Sequence, residues 1–486
     1  MKEILIDSGL VSKTAVVLNN GELEDVFVEH PASSSGTVGS IYKGIVDNIV
    51  PGMQSAFINI GLDKNAFLFL DDIVNENKET DIRKLLKKGQ EIIVQITKEA
   101  HGVKGARVTT AITLPCHSLV LMPCYDYVGV SKKIEDEQEK ERLKNLVSSI
   151  KNKEHGYIIR TDAQGLEEDA LKKEMNYLLE RWNYIQNDAK TKNAPSILSG
   201  EDNLLTTILR DYFDDSVKKI ILNNENDYEE AKNIASFMTP LLTDRILYND
   251  GDIFALKGIE SKLKKLLGRH IWLDNGAYLV IDYTEALTVI DVNTGKFTGD
   301  NDLQKTILKT NIMAAKEIAK QLRLRAIGGI IIIDFIDMES EDDRKEVLLT
   351  LENATQNDKI KTNVLGFVPL GLCQLTRKKT RLGLSSVMQM TCPYCDGDGR
   401  IYNVNSILNN LSNELKRIKD NNIAPNIILR LNPYVLTQLK KHSTKLKDIL
   451  TDKHLFVRED AQMHIEDYNI SMVNDIVDQE GLIKLI

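Results

Sequence analysis

Apolar and polar positions alternate most clearly between residues 278 and 337. YLVIDY and LTVIDVN follow the two-residue period of strands and flank a tight turn, which predicts two neighbouring strands. Residues 302–324 repeat their apolar positions with the period of a helix. The next run, IIIIDFID, is almost continuously apolar and predicts a strand that is buried on both faces. Strand, helix and strand predict a right-handed βαβ unit with parallel strands.

Shorter patterns divide the rest of the chain. Several short strands at regular spacing in residues 37–112 are typical of a small sandwich or barrel. The stretch TKNAPS at 191–196 is expected to be a linker. The other predicted elements are short strands in residues 1–34, helices near 131–150 and 166–185, strands at Tyr157 to Arg160 and Lys218 to Leu222, and a small α/β unit beyond residue 401.

Composition and charge are those of a globular protein with several domains. Of its 486 residues 42% are hydrophobic and 27% are charged, and no apolar run is long enough to span a bilayer. The N-terminus MKEILIDSGL has no apolar signal core, so we expect a cytoplasmic protein without membrane contact. The net charge of −9 does not exclude nucleic acid as a partner, because binding depends on local basic patches.

Two aspartates end the apolar runs of the predicted βαβ unit. Asp291 ends one run and Asp334 the other, so both are expected at the carboxyl edge of the sheet. Asn293 follows two residues after Asp291 and projects to the same face. Two carboxylates and an amide suit Mg²⁺, and the glycine-containing turn with Lys296 could bring donors to a phosphate. The alternative is that these aspartates cap helices or simply face water.

Three motifs in this region are similar to those of a known family. VIDVNTGKFTG, the helix NIMAAKEIAKQLRLR and GGIIIIDFIDM occur in the same order and at matching separations. The chain resembles the ribonuclease E/G family of bacterial endoribonucleases over about residues 1–400. The resemblance implies that Asp291 and Asp334 hold a catalytic Mg²⁺ and that Asn293 positions the attacking water or the phosphate. The length fits the short, ribonuclease G form of the family, without a long disordered tail.

Cys392 and Cys395 form a Cys-x-x-Cys pair in TCPYCDGDGR, and the other three cysteines are scattered, so a disulfide framework is not expected. A glutaredoxin-type redox pair is the alternative, although Asp-Gly-Asp-Gly after Cys395 is a poor helix start for activating a thiol. A structural zinc site needs four ligands, and no histidine occurs between 271 and 440. A second chain with the same two thiolates completes the site, and the resemblance implies the same zinc link between subunits.

The segment with barrel-like spacing resembles an OB-fold RNA-binding domain. Phe57 and Phe67 stand where that fold presents rings to bases. Lys98 and Lys104 belong to a basic, glycine-containing stretch that suits a phosphate backbone. The alternative is that each phenylalanine belongs to the barrel core.

The segment YIIRTDAQG contains a second candidate for contact with RNA. Arg160 and Thr161 close a strand before a turn, and a guanidinium with a hydroxyl can hold a terminal phosphate. In the family, the Arg-Thr pair at this place forms a pocket for a 5′-monophosphate, together with an arginine before the zinc link. Arg377 is the nearest match to that arginine. The alternative for Arg160 is an ordinary surface arginine.

The resemblance implies an α/β multidomain architecture. An OB-fold RNA-binding barrel is inserted in an RNase-H-like subdomain, and a DNase-I-like α/β catalytic subdomain, a zinc link and a small C-terminal α/β domain follow. The expected ranges are 1–34 and 201–267 for the RNase-H-like subdomain, 35–112 for the OB-fold, 113–200 for the 5′-phosphate sensor, 268–390 for the catalytic subdomain, 391–400 for the zinc link and 401–486 for the dimerisation domain.

The function that the resemblance implies is a Mg²⁺-dependent endoribonuclease. It would cut single-stranded RNA and leave 5′-phosphate and 3′-hydroxyl ends. Precursors of rRNA and mRNA are the expected substrates, with a preference for A/U-rich sites and 5′-monophosphorylated ends. The expected assembly is a homodimer joined by structural Zn²⁺, and the pairing of dimers into tetramers is left open. The alternative from another class is an RNA-binding scaffold without catalysis.

Overall fold

The computed structural model describes residues 1–29, 38–75, 79–100, 104–151, 154–200, 203–295, 303–356, 358–421, 424–476 and 481–486. The chain forms two compact units, Met1–Met388 and Gln389–Ile486. Across the described ranges, every helix is too short or too polar to cross a membrane.

The regular elements follow one another along the chain. The strands of the first unit are β1 (Lys2–Ser8), β2 (Lys13–Asn19), β3 (Glu22–Glu29), β4 (Ile41–Val50), β5 (Ser55–Asn59), β6 (Ala66–Phe69), β7 (Glu91–Lys98), β8 (Arg107–Thr109), β9 (Leu114–Pro115), β10 (Leu119–Met122), β11 (Val128–Val130), β12 (Gly156–Ile159), β13 (Ser196–Ser199), β14 (Val217–Leu222), β15 (Ile246–Tyr248), β16 (His270–Trp272), β17 (Tyr278–Tyr283), β18 (Leu287–Asn293), β19 (Gly329–Asp334), β20 (Thr362–Phe367) and β21 (Cys373–Arg377). Its helices are α1 (Ile82–Leu85), α2 (Glu137–Ile150), α3 (Glu168–Thr191), α4 (Leu204–Asp211), α5 (Glu225–Met238), α6 (Ile259–Leu266), α7 (Leu303–Leu324), α8 (Glu341–Gln356) and α9 (Leu384–Met388). The second unit contains α10 (Val404–Asn421), α11 (Pro433–Lys440), α12 (Ser443–Ile449), β22 (Asn426–Leu431), β23 (His454–Glu459), β24 (Tyr468–Val473) and β25 (Leu482–Lys484).

The first sheet joins the N-terminus to a segment far along the chain. Its order is β15-β14-β1-β2-β3, and β1 is parallel to β14 and antiparallel to β2. Both faces of β1 are covered, because Ile4 and Ile6 pack with residues of α4 and α5, whereas Leu5 packs with Leu263 and Leu384. The pairing brings together the two segments that the resemblance assigns to one split subdomain.

The second sheet closes into a barrel. Strands β4, β5, β6, β8 and β7 pair in that order, β7 pairs back with β4, and β13 also pairs with β4. Ala56, Ile58 and Leu68 fill the interior. A side chain at Gly44 would clash with the barrel interior, because a Cβ there would lie 2.6 Å from the Ile58 side chain. This architecture agrees with the small barrel that the strand spacing predicts.

The third sheet, with the order β11-β12-β10-β9, follows the barrel in sequence and packs against α2 and α3. The helix predicted near 131 starts at Glu137, because the Asp136 side chain accepts hydrogen bonds from two amides of the first turn. Helix α3 continues to Thr191, and β13 begins at Ser196. The predicted linker therefore shortens to residues 192–195.

The fourth sheet has the order β16-β17-β18-β19-β21-β20. Strands β18 and β19 are parallel and α7 joins them, which confirms the predicted βαβ unit. Helices α7 and α8 pack on one face, where Ile290, Ile331 and Ile333 are buried. The expectation that β19 is buried on both faces is wrong. Ile330 is 50% exposed, because it points away from the face that these helices cover.

The second unit is built on a sheet with the order β24-β22-β23-β25, in which β22 and β23 are parallel. Leu411 of α10 and Leu436 of α11 pack with Leu429 and Leu455 of this sheet in one core. These elements confirm the small α/β unit predicted beyond residue 401.

A half-buried ion pair joins the segment after β21 to β3. Arg381 donates to the Asp25 carboxylate at 3.0 Å and to the backbone oxygen of Val26 at 2.6 Å. Its guanidinium carbon lies 4.0 Å from the centre of the Phe27 ring. Burial raises the pKa of Asp25 to about 6, although the charge of Arg381 opposes this shift. Proton binding at Asp25 is therefore linked to folding of the first unit.

Replacing Asp25 with Asn should remove a pH dependence of stability. The pKa of Asp25 is ordinarily 3.8 and is about 6 in the folded protein. Between these two pH values, only the folded state keeps the proton. Relative to Asp25→Asn, wild-type stability should therefore fall by on the order of 3 kcal/mol as the pH rises from about 4 to about 6. Urea unfolding followed by tryptophan fluorescence measures this in the first unit, which contains both tryptophans, Trp182 and Trp272. Asp342→Asn, at an exposed position, is the control, and equal slopes in wild type and Asp25→Asn would contradict the assignment.

Candidate functional site

The sheet edge formed by β18 and β19 carries the predicted carboxylates. Asp291 and Asp334 are register partners on these parallel strands, and Asp334 is the last residue of β19. Neighbouring strands lie about 4.8 Å apart, and paired residues project to the same face. Asp334 is exposed and Asp291 half-buried, whereas Ile290 and Ile333 on the other face are buried. The two carboxylates therefore point together away from the core.

Two asparagines form hydrogen bonds that fix the Asp291 side chain and the backbone after Asp334. Asn293 donates from Nδ2 to the Oδ2 atom of Asp291 at 2.8 Å. Asn311, fully buried in α7, donates to the backbone oxygen of Ile336 at 2.8 Å and accepts from the Ile336 amide at 3.1 Å. These two bonds fix the turn that follows Asp334. Sequence reasoning missed Asn311, whose only signal is an amide on the apolar face of a helix.

The charges at this edge favour a bound cation. Partial burial and the negative charges of Asp291 and Asp337 raise the pKa of Asp334, and a cation would relieve this repulsion. Sequence reasoning did not select Asp337. Within the described residues, no three His, Cys, Asp or Glu side chains are grouped to hold a metal. Two carboxylates and the Asn293 amide suit Mg²⁺, which keeps several water or substrate oxygens. Lys296, the expected phosphate contact, lies outside the described residues.

Three of the predicted RNA-contacting side chains of the barrel, Phe57, Phe67 and Lys98, share one outer row. Phe57 pairs with Phe67, Phe67 pairs with Arg107, and Arg107 pairs with Lys98. The ring centres of Phe57 and Phe67 are 4.6 Å apart. Both side chains are half-buried, whereas the residues beside them in β5 and β6 are buried, so the alternative of two core phenylalanines is wrong. Lys98 and Lys104 are exposed.

Phe69 and Arg107 extend this aromatic surface. The Phe69 ring is nearly parallel to that of Phe67, with centres 6.4 Å apart, and the Arg107 guanidinium carbon lies 4.9 Å from the Phe69 ring centre. Arg107 also donates to Asp72 at 2.7 Å, which fixes the guanidinium over the ring. Phe69 was not predicted, although its alternation with Phe67 in NAFLFL was a usable signal.

Arg160 and Thr161 follow β12, as predicted, and Thr161 starts a short 3₁₀ turn. Arg160 donates from Nη1 to the backbone oxygen of Cys116 at 2.8 Å and from Nη2 to Asp211 at 2.7 Å. Burial raises the pKa of Asp211, but hydrogen bonds and charges from Arg210 and Arg160 outweigh burial and hold it below its ordinary value. Arg160 is therefore held in place by an ionised partner, unlike an ordinary surface arginine.

Lys359 contacts the same aspartate and was missed from the sequence. Its Nζ donates to the backbone oxygen of Asp211 and lies 4.0 Å from the centre of the Tyr212 ring. Burial lowers the pKa of Lys359. Arg160, Thr161 and Lys359 all line one cleft with a volume of ≈ 1620 Å³. Lys359 has no motif around it, so only the tertiary structure connects it to the Arg-Thr pair.

Arg377, the third residue assigned to the phosphate pocket, lies elsewhere. Its side chain is 3% exposed, donates to both carboxylate oxygens of Asp358 at 2.8 and 3.2 Å, and donates to the Ile327 backbone oxygen at 2.8 Å. The alternation of β21 turns Arg377 inward with Cys373 and Leu375. A buried guanidinium whose donors bind the protein cannot bind RNA, so this assignment is wrong.

Cys392 and Cys395 lie in a turn of the second unit and not at a helix start. Gly399 donates its amide to the Cys395 sulfur at 3.2 Å, and Gly397 and Gly399 have φ angles of 92° and 67°. Glycine adopts such angles without strain. The backbone amides of Tyr394 and Cys395 lower the pKa of Cys392. The turn therefore favours the thiolate form of Cys392, the form that binds zinc, without the helix of a glutaredoxin-type site.

The two thiols lack two further ligands within the described residues of this chain. His464 lies close, but its ring nitrogens contact the Tyr394 backbone oxygen at 2.7 Å and the Glu466 amide at 3.3 Å. Cys373 is buried in the core of the fourth sheet, where burial raises its pKa to about 12. A tetrahedral site at Cys392 and Cys395 would need ligands from outside the described residues, which a second protomer can supply.

Paired carboxylates at a sheet edge and a barrel with outward rings are typical of a protein that processes nucleic acid. The model of the Ribonuclease E/G family matches residues 113–380. Ribonuclease G of Escherichia coli (strain K12) is 38% identical, covering 97% of this chain and 99% of that protein. Ribonuclease G of Haemophilus influenzae is 38% identical over 95% of this chain and 96% of its own length. Ribonuclease E of Nostoc sp. is 36% identical over 79% of this chain and 57% of its own length. The chain belongs to the ribonuclease E/G family.

Proposed function

We propose that this member of the ribonuclease E/G family, an endoribonuclease acting on RNA, uses Mg²⁺ to hydrolyse single-stranded RNA. The observation that carries the proposal is the pairing of Asp291 with Asp334 on the open face of the sheet, with Asn293 bonded to Asp291. The proposed substrates are rRNA precursors, in 5′ maturation, and mRNA, in decay. The cytoplasmic location remains a prediction from the sequence.

Asp291 and Asp334 would hold the ion, which when bound activates water and neutralises charge on the scissile phosphate. Asn293 is held by its bond to Asp291, so its amide can orient the attacking water or a phosphate oxygen. Asn311 keeps the turn after Asp334 in place through Ile336. Water attacks phosphorus and the bond to the 3′ oxygen breaks, which leaves a 3′-hydroxyl and a 5′-phosphate.

The barrel row is the proposed site for single-stranded RNA. Phe57, Phe67 and Phe69 offer ring surface on the outside of the barrel, and Lys98 and Lys104 are exposed for contact with phosphates. Stacking contributes roughly 1–3 kcal/mol per base and tolerates any sequence. Bases inside a duplex are already stacked, so this surface favours single strands.

The cleft lined by Arg160 and Thr161 is the proposed site for a 5′-monophosphate, with Lys359 in place of Arg377. Arg160 can turn part of its guanidinium to a phosphate because its side chain is 26% exposed. Charge-assisted hydrogen bonds from a guanidinium are the strong kind. Asp211 orients Arg160 in the free protein, and a phosphate has to compete with this carboxylate.

The turn at Cys392 and Cys395 is the proposed zinc link. Two protomers would each supply both thiolates to one structural Zn²⁺ and so form a homodimer. The pairing of dimers into tetramers is left open by this arrangement.

Removal of one carboxylate should strongly reduce cleavage. Asp291→Asn should lower kcat/KM for a labelled, 5′-monophosphorylated single-stranded RNA by more than the roughly 10- to 100-fold typical of residues that only support a metal ligand. Raised Mg²⁺ should recover part of the activity. Asp342→Asn, an exposed carboxylate on α8, is the control and should cut like wild type. Equal cutting by Asp291→Asn would place the metal site elsewhere, and bound but uncut RNA with wild type would favour the scaffold.

Loss of either link cysteine should release zinc and separate the protomers. Cys392→Ser should contain no bound zinc and should have the mass of a monomer, because a single thiolate per chain cannot complete four ligands. Zinc analysis and light scattering measure the two effects. Cys124→Ser replaces a half-buried cysteine of the first unit and should remain a zinc-containing dimer. A stable dimer of Cys392→Ser without zinc would refute the link.

Arg160→Ala should remove the preference for a 5′-monophosphate. The ratio of kcat/KM for 5′-monophosphorylated over 5′-hydroxyl RNA should fall by roughly tenfold or more, because charge-assisted hydrogen bonds are lost. Cleavage of the 5′-hydroxyl substrate should stay near the wild-type rate. Arg142→Ala, which removes an arginine paired with Glu139 on α2, is the matched control. An unchanged ratio in Arg160→Ala would place the 5′ pocket elsewhere.

A further inference from the structure

An aromatic pair lies on the same sheet face as the carboxylates. Trp272 on β16 pairs with Tyr278 on β17, and Tyr278 pairs with Asn293 on β18. The ring centres of Trp272 and Tyr278 are 5.1 Å apart, and their planes are tilted by 51°. Because paired residues share a face, these three side chains form one row across three strands. The neighbouring row contains Asp291 and Asp334.

Trp272 is not part of the hydrophobic core. Ile271 and Leu273, on either side of it, pack into the core beneath the sheet, whereas Trp272 is 66% exposed. The other tryptophan, Trp182, is 6% exposed and belongs to a core. An exposed ring of this size has an unfavourable contact with water that a stacked ligand would remove.

The aromatic pair is held rigidly against the carboxylate edge. The turn between β16 and β17 is closed by a 2.8 Å hydrogen bond from the Leu273 amide to the Ala277 oxygen, and Asn275 donates to Thr310 of α7 at 3.1 Å. A Cβ on Gly295, just after β18, would lie 3.3 Å from a ring carbon of Tyr278. The Tyr278 ring therefore lies directly beside the turn that follows Asn293.

The charges on this face disfavour binding through phosphates alone. Asp291 and Asp337 lie close enough to Asp334 for their charges to act on it, and the three carboxylates repel a phosphate backbone wherever no cation intervenes. Arg269, just before β16, is engaged by Asp282 at 2.6 Å. Neutral rings can bind RNA here through the faces of its bases, whatever the base.

We propose that Trp272 and Tyr278 form a stacking platform for a base of the RNA substrate, next to the phosphate that is cut at Asp291 and Asp334. From the strand spacing, the backbone of Tyr278 lies about 5 Å and that of Trp272 about 10 Å from Asn293. The RNA strand then crosses the sheet from β19 toward β16. A base held on the rings determines which phosphate reaches the carboxylates. This platform rests on the proposed nuclease function and adds a base subsite to it.

Tryptophan fluorescence tests the platform without cleavage. A short, A/U-rich, 5′-monophosphorylated RNA is titrated into the full-length protein in Mg²⁺-free buffer that keeps zinc bound. Stacking should quench Trp272, and the quenching should vanish in Trp272→Phe, where only the buried Trp182 emits. RNA affinity should fall roughly 5- to 100-fold in Trp272→Ala, and Trp272→Phe should recover most of it. Tyr184→Ala, which removes a 65% exposed ring from α3, should bind like wild type.

A scan of the substrate then locates the stacked base. With wild type, an abasic nucleotide at one position near the cut should lower kcat/KM by about the factor that Trp272→Ala produces. With Trp272→Ala, the same abasic nucleotide should have no further effect, while abasic nucleotides elsewhere keep their effects.

Two results would overturn the platform. One is an unchanged Trp272 emission on RNA binding, or abasic effects that are the same in wild type and Trp272→Ala. The other is an emission change that follows protein concentration and not RNA, which would assign Trp272 to a contact between protein copies. Quenching by RNA in a protein whose cleavage does not depend on Asp291 would support the platform and count against the nuclease site, so the two failures are distinguishable.

Discussion

The parallel pairing of β18 with β19 is the constraint on which the proposed site depends. Ile290, Ile331 and Ile333 are buried beneath the sheet, and their burial sets the register that places Asp291 beside Asp334. A slip of one residue would turn Asp334 into the core and the isoleucines outward, at a large cost in apolar burial. The core thus holds two carboxylates together despite their repulsion, which is the condition for binding a cation between them.

The sequence was sufficient to predict where these carboxylates lie, because the information that places them is local. Asp291, Asn293 and Asp334 each stand at the end of an apolar run, and alternation along a strand decides their face. The same reasoning failed for the isoleucine run itself, since four consecutive apolar residues do not reveal that one face of the strand stays open. Ile330 lies on this open face and is half-exposed.

The parts that could not be predicted depend on pairs that are distant in sequence. Arg377 looked like a surface cation in RKKTR until the structure paired it with Asp358 in the interior. Asn311 acts through its hydrogen bond to Ile336, and Lys359 through its hydrogen bond to Asp211. The residues next to them in the sequence indicate neither contact. Trp272 and Tyr278 become a surface only through the cross-strand register.

Ion pairs with carboxylates inside the protein limit which arginines can bind RNA. Arg377 is paired with Asp358 in a buried position, whereas Arg160 and Arg381 are half-buried at the wall of an open cleft, where Arg160 pairs with Asp211 and Arg381 with Asp25. On a chain with a net charge of −9, the number of basic residues in a segment is therefore a poor guide to RNA binding. Exposure distinguishes a cation that can still reach RNA, such as Arg160, from one that is enclosed by the protein, such as Arg377.

The most direct test of the account is to map where a divalent cation binds. Fe²⁺ can replace Mg²⁺, and with ascorbate and peroxide it generates hydroxyl radicals that cut the nearby protein backbone. A cation shared by Asp291 and Asp334 should produce cuts close to these two residues, and the cuts should be suppressed by excess Mg²⁺ and absent in Asp334→Asn. Cuts confined to other parts of the chain, or cuts near these residues that persist in excess Mg²⁺ and in Asp334→Asn, would contradict a shared cation at this edge.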